Sequence, residues 1–465
     1  MPTRATSTSG LEYPRVNLVR ERAPAPPQRL TYGKVLAISL PIILSNITTP
    51  LLGVTSTAVV GQLGEAHLIG AVALGATIFT LLFWAFGFLR MGTTGLCAQA
   101  DGAGDQREVS AILARSLLVA GGAGLLLILL QWPLEWLSVY FLNASAAVEA
   151  ETRHYFHIRI WSAPFALANY AFLGWFIGLG RTQTALYLQV VLNGANVVLN
   201  VTFVTWLGWG VAGVAIGTLI AEILAAALGA IIAVRELARR DVPIDWGRAM
   251  NASGLTRMLA VNSDLMIRTL CLLFAFTFFT AQAAKSGDII LAANAVLLQF
   301  LNTSSYLLDG FAFATEVLTG RAIGAARQSQ FRRAVYLSCV WAAAVSLAVV
   351  AIFIVGGGAI IDAMAVNPEV RETARFYLPW AIAAPIAGVA CFQLDGIFIG
   401  ATRTRDMRNM MILSLAAFLA AWAVLTPAFG NHGLWASIIV FFIVRGVSLA
   451  AFYPALERAS FPVRA

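Results

Sequence analysis

Long apolar stretches separated by short polar connections recur from residue 34 to the end of the chain. A helix that crosses a bilayer needs about 20 mainly apolar residues, and twelve stretches reach that length. They lie near residues 34–60, 67–92, 109–138, 154–179, 184–206, 211–234, 256–283, 288–318, 333–356, 373–400, 408–429 and 433–455. The pattern predicts an all-α polytopic membrane protein with twelve transmembrane helices.

The composition agrees with lipid as the solvent for most of the chain. Of 465 residues, 59% are hydrophobic and 12% are charged, whereas an ordinary soluble domain has roughly 25% charged residues. The formal net charge of +8 would suggest a nucleic-acid partner in a soluble protein. Here the arginines lie mainly in the connections, as the positive-inside rule requires. We therefore expect membrane lipid, and no nucleic acid, as a partner.

The basic residues also predict the orientation. With the N-terminus inside, 23 of the 31 Lys and Arg residues lie on the inner side, and only five, Arg159 among them, lie on the outer side. Both termini are therefore predicted to be cytoplasmic. Residues 1–32 are rich in Arg, Pro, Ser and Thr and are predicted to be a disordered cytoplasmic tail, not a cleaved signal peptide. The Arg- and Ala-rich, Lys-poor usage hints at a bacterial source, and we therefore expect a bacterial inner (plasma) membrane.

An internal repeat divides the chain into two halves. GWFIGLGRT at 174–182 and GIFIGATRT at 396–404 match at six of nine positions, with a constant offset in numbering between them. AQADGAGDQ at 98–106 and GRAIGAARQ at 320–328 share the same offset. We predict two six-helix lobes, at 33–234 and 256–458, joined by a cytoplasmic linker at 235–255. Parallel repeats of this kind are related by an axis along the membrane normal.

Polar residues within spans are costly and mark candidate sites. In the first lobe they include Asn169, three amides on one face of the fifth span, and Thr218 and Glu222 on the sixth span. The three amides are Asn193, Asn196 and Asn200, at i, i+3 and i+7. A wet cavity lining is one interpretation. The alternative is ordinary interhelical hydrogen bonding, at about 0.6 kcal/mol per residue.

In the second lobe most of the buried polar groups are charged. Asp264 and Arg268 are four residues apart, so the favoured interpretation is that they neutralise each other. Asp309 has no neighbouring cation in the sequence and is the first site candidate, and Asp395 is the second. Arg90 and Arg445 also fall near or within helices. The glycines of the repeat, Gly174, Gly178, Gly396 and Gly400, are expected to serve helix packing.

The sequence contains no catalytic or metal constellation. The four cysteines lie in or beside hydrophobic runs, and His154 and His157 have no third ligand nearby. An enzyme, a cofactor and a metal site are therefore not expected.

The sequence resembles the multidrug and toxic compound extrusion (MATE) family, specifically its DinF-like branch. The resemblance extends from about residue 33 to 458. Among the segments that carry it are SNITTPLLG (45–53), FGFLRMGTTGL (86–96), LDGFAFATE (308–316) and LDGIFIGATRTRDMRN (394–409). It implies a secondary transporter of small organic molecules, with H⁺ or Na⁺ as the coupling ion.

The resemblance also assigns positions in the first lobe. The family carries coupling carboxylates on helices 1 and 5, beside a kinking proline that matches Pro41. This chain has VTSTAV (54–59) and NVVLN (196–200), so that Ser56 and Asn200 stand where the family has acidic residues. Asn169, Asn196 and Thr218 match the family's polar partners. Ser and Asn do not titrate near neutral pH, so the expected proton carrier is missing from this lobe.

Two functions remain open at this point. The first is efflux of amphipathic or cationic organic compounds by alternating access, as H⁺ or Na⁺ antiport, with Asp309, Asp395 or Glu222 as the titrating group. The second is an uncoupled facilitator or lipid-like flippase of the same fold, which the loss of both carboxylates suggests. A membrane-embedded enzyme or scaffold is disfavoured because no catalytic constellation is present.

Overall fold

The computed structural model describes residues 30–61, 65–142 and 145–462. Within these residues the backbone forms sixteen α-helices and no strand. They are α1 (Tyr32–Gly61), α2 (Ala66–Ala85), α3 (Phe88–Gly102), α4 (Gln106–Leu129), α5 (Gln131–Leu142), α6 (Ala146–Arg159), α7 (Ala163–Gly178), α8 (Thr182–Val201), α9 (Gly210–Arg239), α10 (Trp246–Ala249), α11 (Ala252–Lys285), α12 (Asp288–Gly324), α13 (Gln328–Met364), α14 (Pro368–Gly400), α15 (Thr404–Phe429) and α16 (Asn431–Ser460).

The helices confirm the prediction of twelve spans. Eleven segments are long and apolar enough to cross a membrane, and the apolar helix α1 supplies the twelfth. The tail predicted at 1–32 lies outside the described residues, except for its last three positions. The last of these, Tyr32, is the first residue of α1.

Two spans that the sequence predicts as continuous are broken in the middle. The second span is interrupted between α2 and α3, at Phe86 and Gly87. The fourth is interrupted between α6 and α7 by a 3₁₀ turn at Ile160–Ser162, just before Pro164. Breaks at membrane depth are tolerated where protein buries the backbone or lines a cavity. Hydropathy does not reveal such breaks, because the residues at them remain apolar.

The two halves of the chain repeat the same backbone pattern at the offset that the sequence repeat predicts. The ends of α3 and α12 are separated by this offset, and so are the ends of α7 and α14 and the starts of α4 and α13. The left-handed residues after these helix ends also correspond, Gly104 to Ala326 and Gly180 to Thr402. The internal repeat is therefore present in the structure as well as in the sequence.

The halves meet where α3 packs on α12. A Cβ at Gly102 would overlap the backbone of Arg321, and a Cβ at Gly324 would overlap the backbone of Gln99. These contacts are reciprocal, because Gly102 corresponds to Gly324 and Gln99 to Arg321. Such reciprocity is expected of a two-fold relation between repeats. We call this end of the molecule, where α1 begins and α3 and α12 end, the basic end.

The connection between the halves docks against α4. Helix α9 extends to Arg239, beyond the predicted start of the linker at 235, and α10 lies within the linker. Arg248 pairs with Asp105 at 2.5 Å and with Glu108 at 2.9 Å, and Arg115 donates to the backbone oxygen of Ala249 at 3.1 Å. These contacts tie the linker to the first half of the chain.

Candidate functional site

An amide cluster joins α8 to α9. Asn196 Nδ2 donates to Thr218 Oγ1 at 2.9 Å, and Asn200 Nδ2 donates to Asn196 Oδ1 at 3.0 Å. Gly217 allows the approach, because a Cβ there would overlap Asn200 Oδ1. On the same face of α8, Asn193 accepts a hydrogen bond from Gln189 at 3.0 Å. The structure thus brings Asn196, Asn200 and Thr218 into one hydrogen-bonded group.

The fifth span changes its hydrogen-bonding pattern directly after this cluster. Residues Thr202–Trp206 form a π-helical turn that continues α8. Segments of π-helix within α-helices are frequent at functional sites. The amide face of α8 therefore ends where the backbone hydrogen bonding of the fifth span changes from α-helical to π-helical.

A buried ion pair neutralises Glu222. Arg159 Nη2 lies 2.6 Å from Glu222 Oε1, and Arg159 Nη1 lies 3.1 Å from Oε2. The sequence-based placement of Arg159 on the outer side is wrong, since it lies buried inside the fourth span. Asn169, another predicted site residue, donates to the backbone oxygen of Glu222 at 3.1 Å. Protonation of Glu222 would leave a buried arginine unpaired, at a cost of several kcal/mol.

Helix α1 lies between the amide cluster and the second half, because it packs on both α8 and α12. Pro41 is buried in α1 and supplies no N–H for the Ala37 carbonyl. Just beyond Pro41, Ile43 packs so closely on α12 that a Cβ at Gly310 would overlap it. Ser56 lies in α1 as well, but its side chain is outside the part that the structure describes.

In the second half, two buried arginines share one carboxylate. Arg268 of α11 and Arg445 of α16 both bond to Asp395 Oδ2, while Asp395 Oδ1 has no partner in the described chain. The predicted pairing of Asp264 with Arg268 is wrong. Asp264 instead binds Arg408 at 2.7 Å and accepts from Thr404 at 3.0 Å. Spacing along a helix does not decide pairing when a neighbouring helix offers a closer partner.

Asp309 is the exception among the predicted acidic candidates. It lies half-buried near the middle of α12 and forms no hydrogen bond or ion pair with a described residue. Its electrostatic neighbours are Arg90, Arg268 and Arg445. Arg90 comes from the first half of the chain and the other two come from the second half. Asp309 therefore lies where the halves adjoin.

Arg90 covers the face of α12 that carries Asp309. Its guanidinium carbon lies 4.1 Å from the centre of the Phe313 ring, and it interacts electrostatically with Asp309 and Glu316. Residues 309, 313 and 316 follow i, i+4 and i+7 and share one helix face. Glu316 is buried, and its Oε1 has no partner in the described chain.

Sequence reasoning noted Arg90 and Arg445 within helices but gave them no role. Their partners lie on helices far away in the chain, so no local spacing predicts the contacts. The costly burial of a charge in a span was the available signal. It identified the residues without identifying what they bind.

Comparison with known proteins assigns this fold to a family. The model described as MatE matches residues 41–202 and 265–424, which is more than half of the chain. The chain belongs to the MatE family. The MATE resemblance found in the sequence is thereby confirmed.

Two curated relatives match this MATE chain over almost the whole length of both proteins. DNA damage-inducible protein F of Escherichia coli (strain K12) is 39% identical over 416 residues, or 90% of each chain. Probable multidrug resistance protein NorM of Deinococcus radiodurans is 28% identical over 454 residues, covering 91% of this chain and 95% of that protein.

A solved structure of MATE in the bent conformation has the same fold. The TM-score is 0.82, with 20% sequence identity, over 92% of this chain and 96% of that one. The twelve-helix MATE fold is therefore shown. The chain is a membrane transporter with multidrug-efflux relatives, and it is not an enzyme.

Proposed function

We propose that this MATE transporter exports amphipathic, cationic organic compounds by alternating access, in exchange for protons carried by Asp309. The observation that supports this most directly is the difference between Asp309 and the other two candidates. Glu222 and Asp395 are bound directly by arginines, whereas Asp309 has no direct partner among the described residues. Asp309 can therefore change its charge without breaking an ion pair.

A proton fits the surroundings of Asp309 better than Na⁺ does. A metal cation needs several oxygen ligands, and the described residues contain no group of three or more metal-binding side chains. The neighbours of Asp309 are three guanidinium groups, which have no acceptor atom and cannot serve as ligands to a metal ion. A proton needs only the carboxylate oxygen.

Exchange follows if proton and substrate compete for the same carboxylate. A cationic compound is attracted to ionised Asp309, and protonation removes that attraction. The side of the membrane that offers more protons then releases the compound and the other side loads it. The amide cluster of Asn196, Asn200 and Thr218, with Asn169 nearby, would line the remainder of the cavity.

We place the basic end in the cytoplasm of a bacterial cell, with both chain termini there, because most of the arginines lie at that end. The lobes at 33–234 and 256–458 would then rock about the α3 and α12 contact. The roles of Pro41 and Ser56 in this cavity stay predictions from the family resemblance.

One observation favours a second function, uncoupled facilitation or flipping of a lipid-like molecule. Glu222 lies one turn beyond Thr218 of the amide cluster on α9, and it is neutralised by Arg159. A neutral first-half site would bind substrate without regard to proton gradients.

The deciding experiment uses proteoliposomes with the whole chain and a fluorescent cationic dye. We expect an imposed pH gradient to drive dye transport and a sodium gradient to have no effect. Asp309→Asn should lower proton-driven transport at least tenfold, because an amide does not titrate. Asp288→Asn is the matched control, since it removes an exposed carboxylate from the same helix. Equal transport with and without gradients would support the facilitator.

A further inference from the structure

A small cavity opens at the basic end of the first half, away from the site described above. Its volume is about 180 Å³, and it lies between the ends of α7 and α9 and the start of α8. Sites for drug-sized molecules are about 300–1,000 Å³. The cavity is therefore too small for a transported drug and suits a compact polar group.

Arginines dominate the cavity wall. Arg181, Arg235 and Arg239 line it, and Glu236 is the acidic residue among the lining. Glu236 Oε1 already accepts from Arg181 at 2.8 Å and from Arg240 at 2.9 Å. Arg235 and Arg239 form no hydrogen bond or ion pair with a described residue. The cavity therefore carries positive charge that the described chain does not neutralise.

The spacing of the two unpaired arginines increases this imbalance. Arg235 and Arg239 are four residues apart, so their side chains share one face of α9. Like charges at this spacing destabilise a helix by about 0.2–0.5 kcal/mol. An anion held between them would turn this repulsion into attraction.

The surroundings of the cavity indicate where the anion comes from. Its apolar lining is Phe176 and Ile232. On the neighbouring surface of α9, Ile231 is 49% exposed and Val234 is 59% exposed. Exposed aliphatic side chains on a spanning helix face acyl chains. Basic pockets between helices at this depth are suited to anionic lipid headgroups.

We propose that this cavity binds the phosphate group of an anionic membrane lipid such as phosphatidylglycerol. Arg235 and Arg239 hold the phosphate oxygens, Arg181 contributes from the start of α8, and the acyl chains lie along Ile231 and Val234. Guanidinium groups suit this role because they bind phosphate oxygens in a bidentate manner.

The position of this lipid site connects it to the contact between the halves. Ion pairs continue from Arg181 to Glu236, from Glu236 to Arg240, from Arg240 to Asp101 at 2.9 Å, and from Asp101 to Arg321 at 2.8 Å. Arg321 belongs to the second half. The headgroup therefore lies at one end of a continuous ion-pair chain that crosses between the halves.

The test measures thermal unfolding of the whole purified chain in detergent, with added phosphatidylglycerol, phosphatidylcholine or inorganic phosphate. Phosphatidylglycerol should raise the Tm by a few degrees at saturating concentration, and the other two should raise it much less. In Arg235→Gln/Arg239→Gln the apparent affinity for phosphatidylglycerol should fall roughly tenfold or more. The matched control is Arg107→Gln/Arg332→Gln, which removes the same charge from the basic end outside the cavity and should respond like the wild type.

A second measurement on the wild-type chain does not depend on the folding of a variant. An arginine-specific reagent is applied in vesicles of phosphatidylglycerol and of phosphatidylcholine, and labelling is read by mass spectrometry. Arg235 and Arg239 should be protected only in the anionic vesicles, while Arg107 is labelled in both. Equal labelling of Arg235 and Arg239 in the two kinds of vesicle would overturn the proposal. So would equal responses of the two double variants to phosphatidylglycerol, or a Tm increase with inorganic phosphate equal to that with phosphatidylglycerol.

Discussion

At the scale of single residues, charge is what distinguishes the two halves. The repeat gives them matching backbones, yet it aligns Asp309 with Gly87 and Asp395 with Leu173. The first half has a neutral amide cluster and one buried ion pair, Arg159 with Glu222. The second half has Asp309, Asp395 and two buried arginines. Among the described residues of the first half, Arg90 is the charged group that acts on Asp309.

Arg90 should therefore set the pH range of transport. In Arg90→Met the Asp309 carboxylate loses a nearby cation and keeps its proton to higher pH, so the pH of half-maximal transport should rise by about one unit. The measurement is proton-driven dye transport over a pH series. Arg403→Met is the control, since Arg403 pairs with Asp406 at the basic end.

A double-mutant cycle separates this role from a loss of packing on Phe313. With Asp309→Asn already present, Arg90→Met should produce no further change in the pH profile. An equal shift in the presence and absence of Asp309 would mean that Arg90 acts only through structure.

The sequence predicted which polar and charged residues lie within the spans, but it did not predict which residues they bind. Costly burial drew attention to Asp309, Asp395 and the amide face of α8, and their role as site residues stays a prediction. The partners could not be predicted, because Arg268 binds a residue 127 positions away and nothing in one sequence records that distance. Asp264 was paired with the wrong arginine for the same reason.

At the scale of helices, the contact between α3 and α12 holds the two halves together at the basic end. Gln99 Nε2 donates to the Gly400 oxygen at 2.8 Å, and Arg321 Nη2 donates to the Leu179 oxygen at 2.5 Å. The ion pair of Asp101 with Arg321, at 2.8 Å, crosses between the halves beside them. Closely packed glycine backbones and a partly buried ion pair thus act at the same place.

Breaking this ion pair should favour opening at the basic end. The pair is partly exposed, so its contribution is about 1 kcal/mol, and Arg321→Gln should raise the ratio of open to closed molecules roughly fivefold. The ratio is read from the distance between spin labels at Arg107→Cys and Ser329→Cys, two exposed positions at the basic end outside this contact. Arg332→Gln is the control, because Arg332 pairs with Glu457 within the second half. An unchanged distance in Arg321→Gln would show that this ion pair does not hold the basic end closed.

Helix prediction from hydropathy succeeded for the number of spans and failed at their interruptions. The sequence signals for the breaks, Gly87 and Pro164, are ordinary in spanning helices. Their effect becomes visible only with tertiary packing, which places Arg90 and Arg159 directly beside the two breaks.

At the scale of the whole molecule, the structure has its halves in contact at the basic end. Among the contacts that join them are those of α3 with α12, α11 and α14. The first part of α1 also contacts the second half, where Trp341 donates to the Tyr32 oxygen at 3.1 Å. The reciprocal contact of α3 with α12 supports the proposed rocking of the two halves about this contact. The repeated backbone pattern was predictable from the sequence repeat, but the end at which the two halves make contact was not.

Proton-driven alternating access is tested most directly by measuring distances between the halves with pairs of spin labels, after the four native cysteines have been replaced. One pair, Arg107→Cys with Ser329→Cys, reports on the basic end, and the other, Ala147→Cys with Val366→Cys, reports on the opposite end. Between alkaline and acidic pH, proton-driven alternating access predicts opposite changes, one distance increasing as the other decreases, and no such change in Asp309→Asn. Distances that stay constant, or that change equally in Asp309→Asn, would contradict proton-driven alternating access through Asp309.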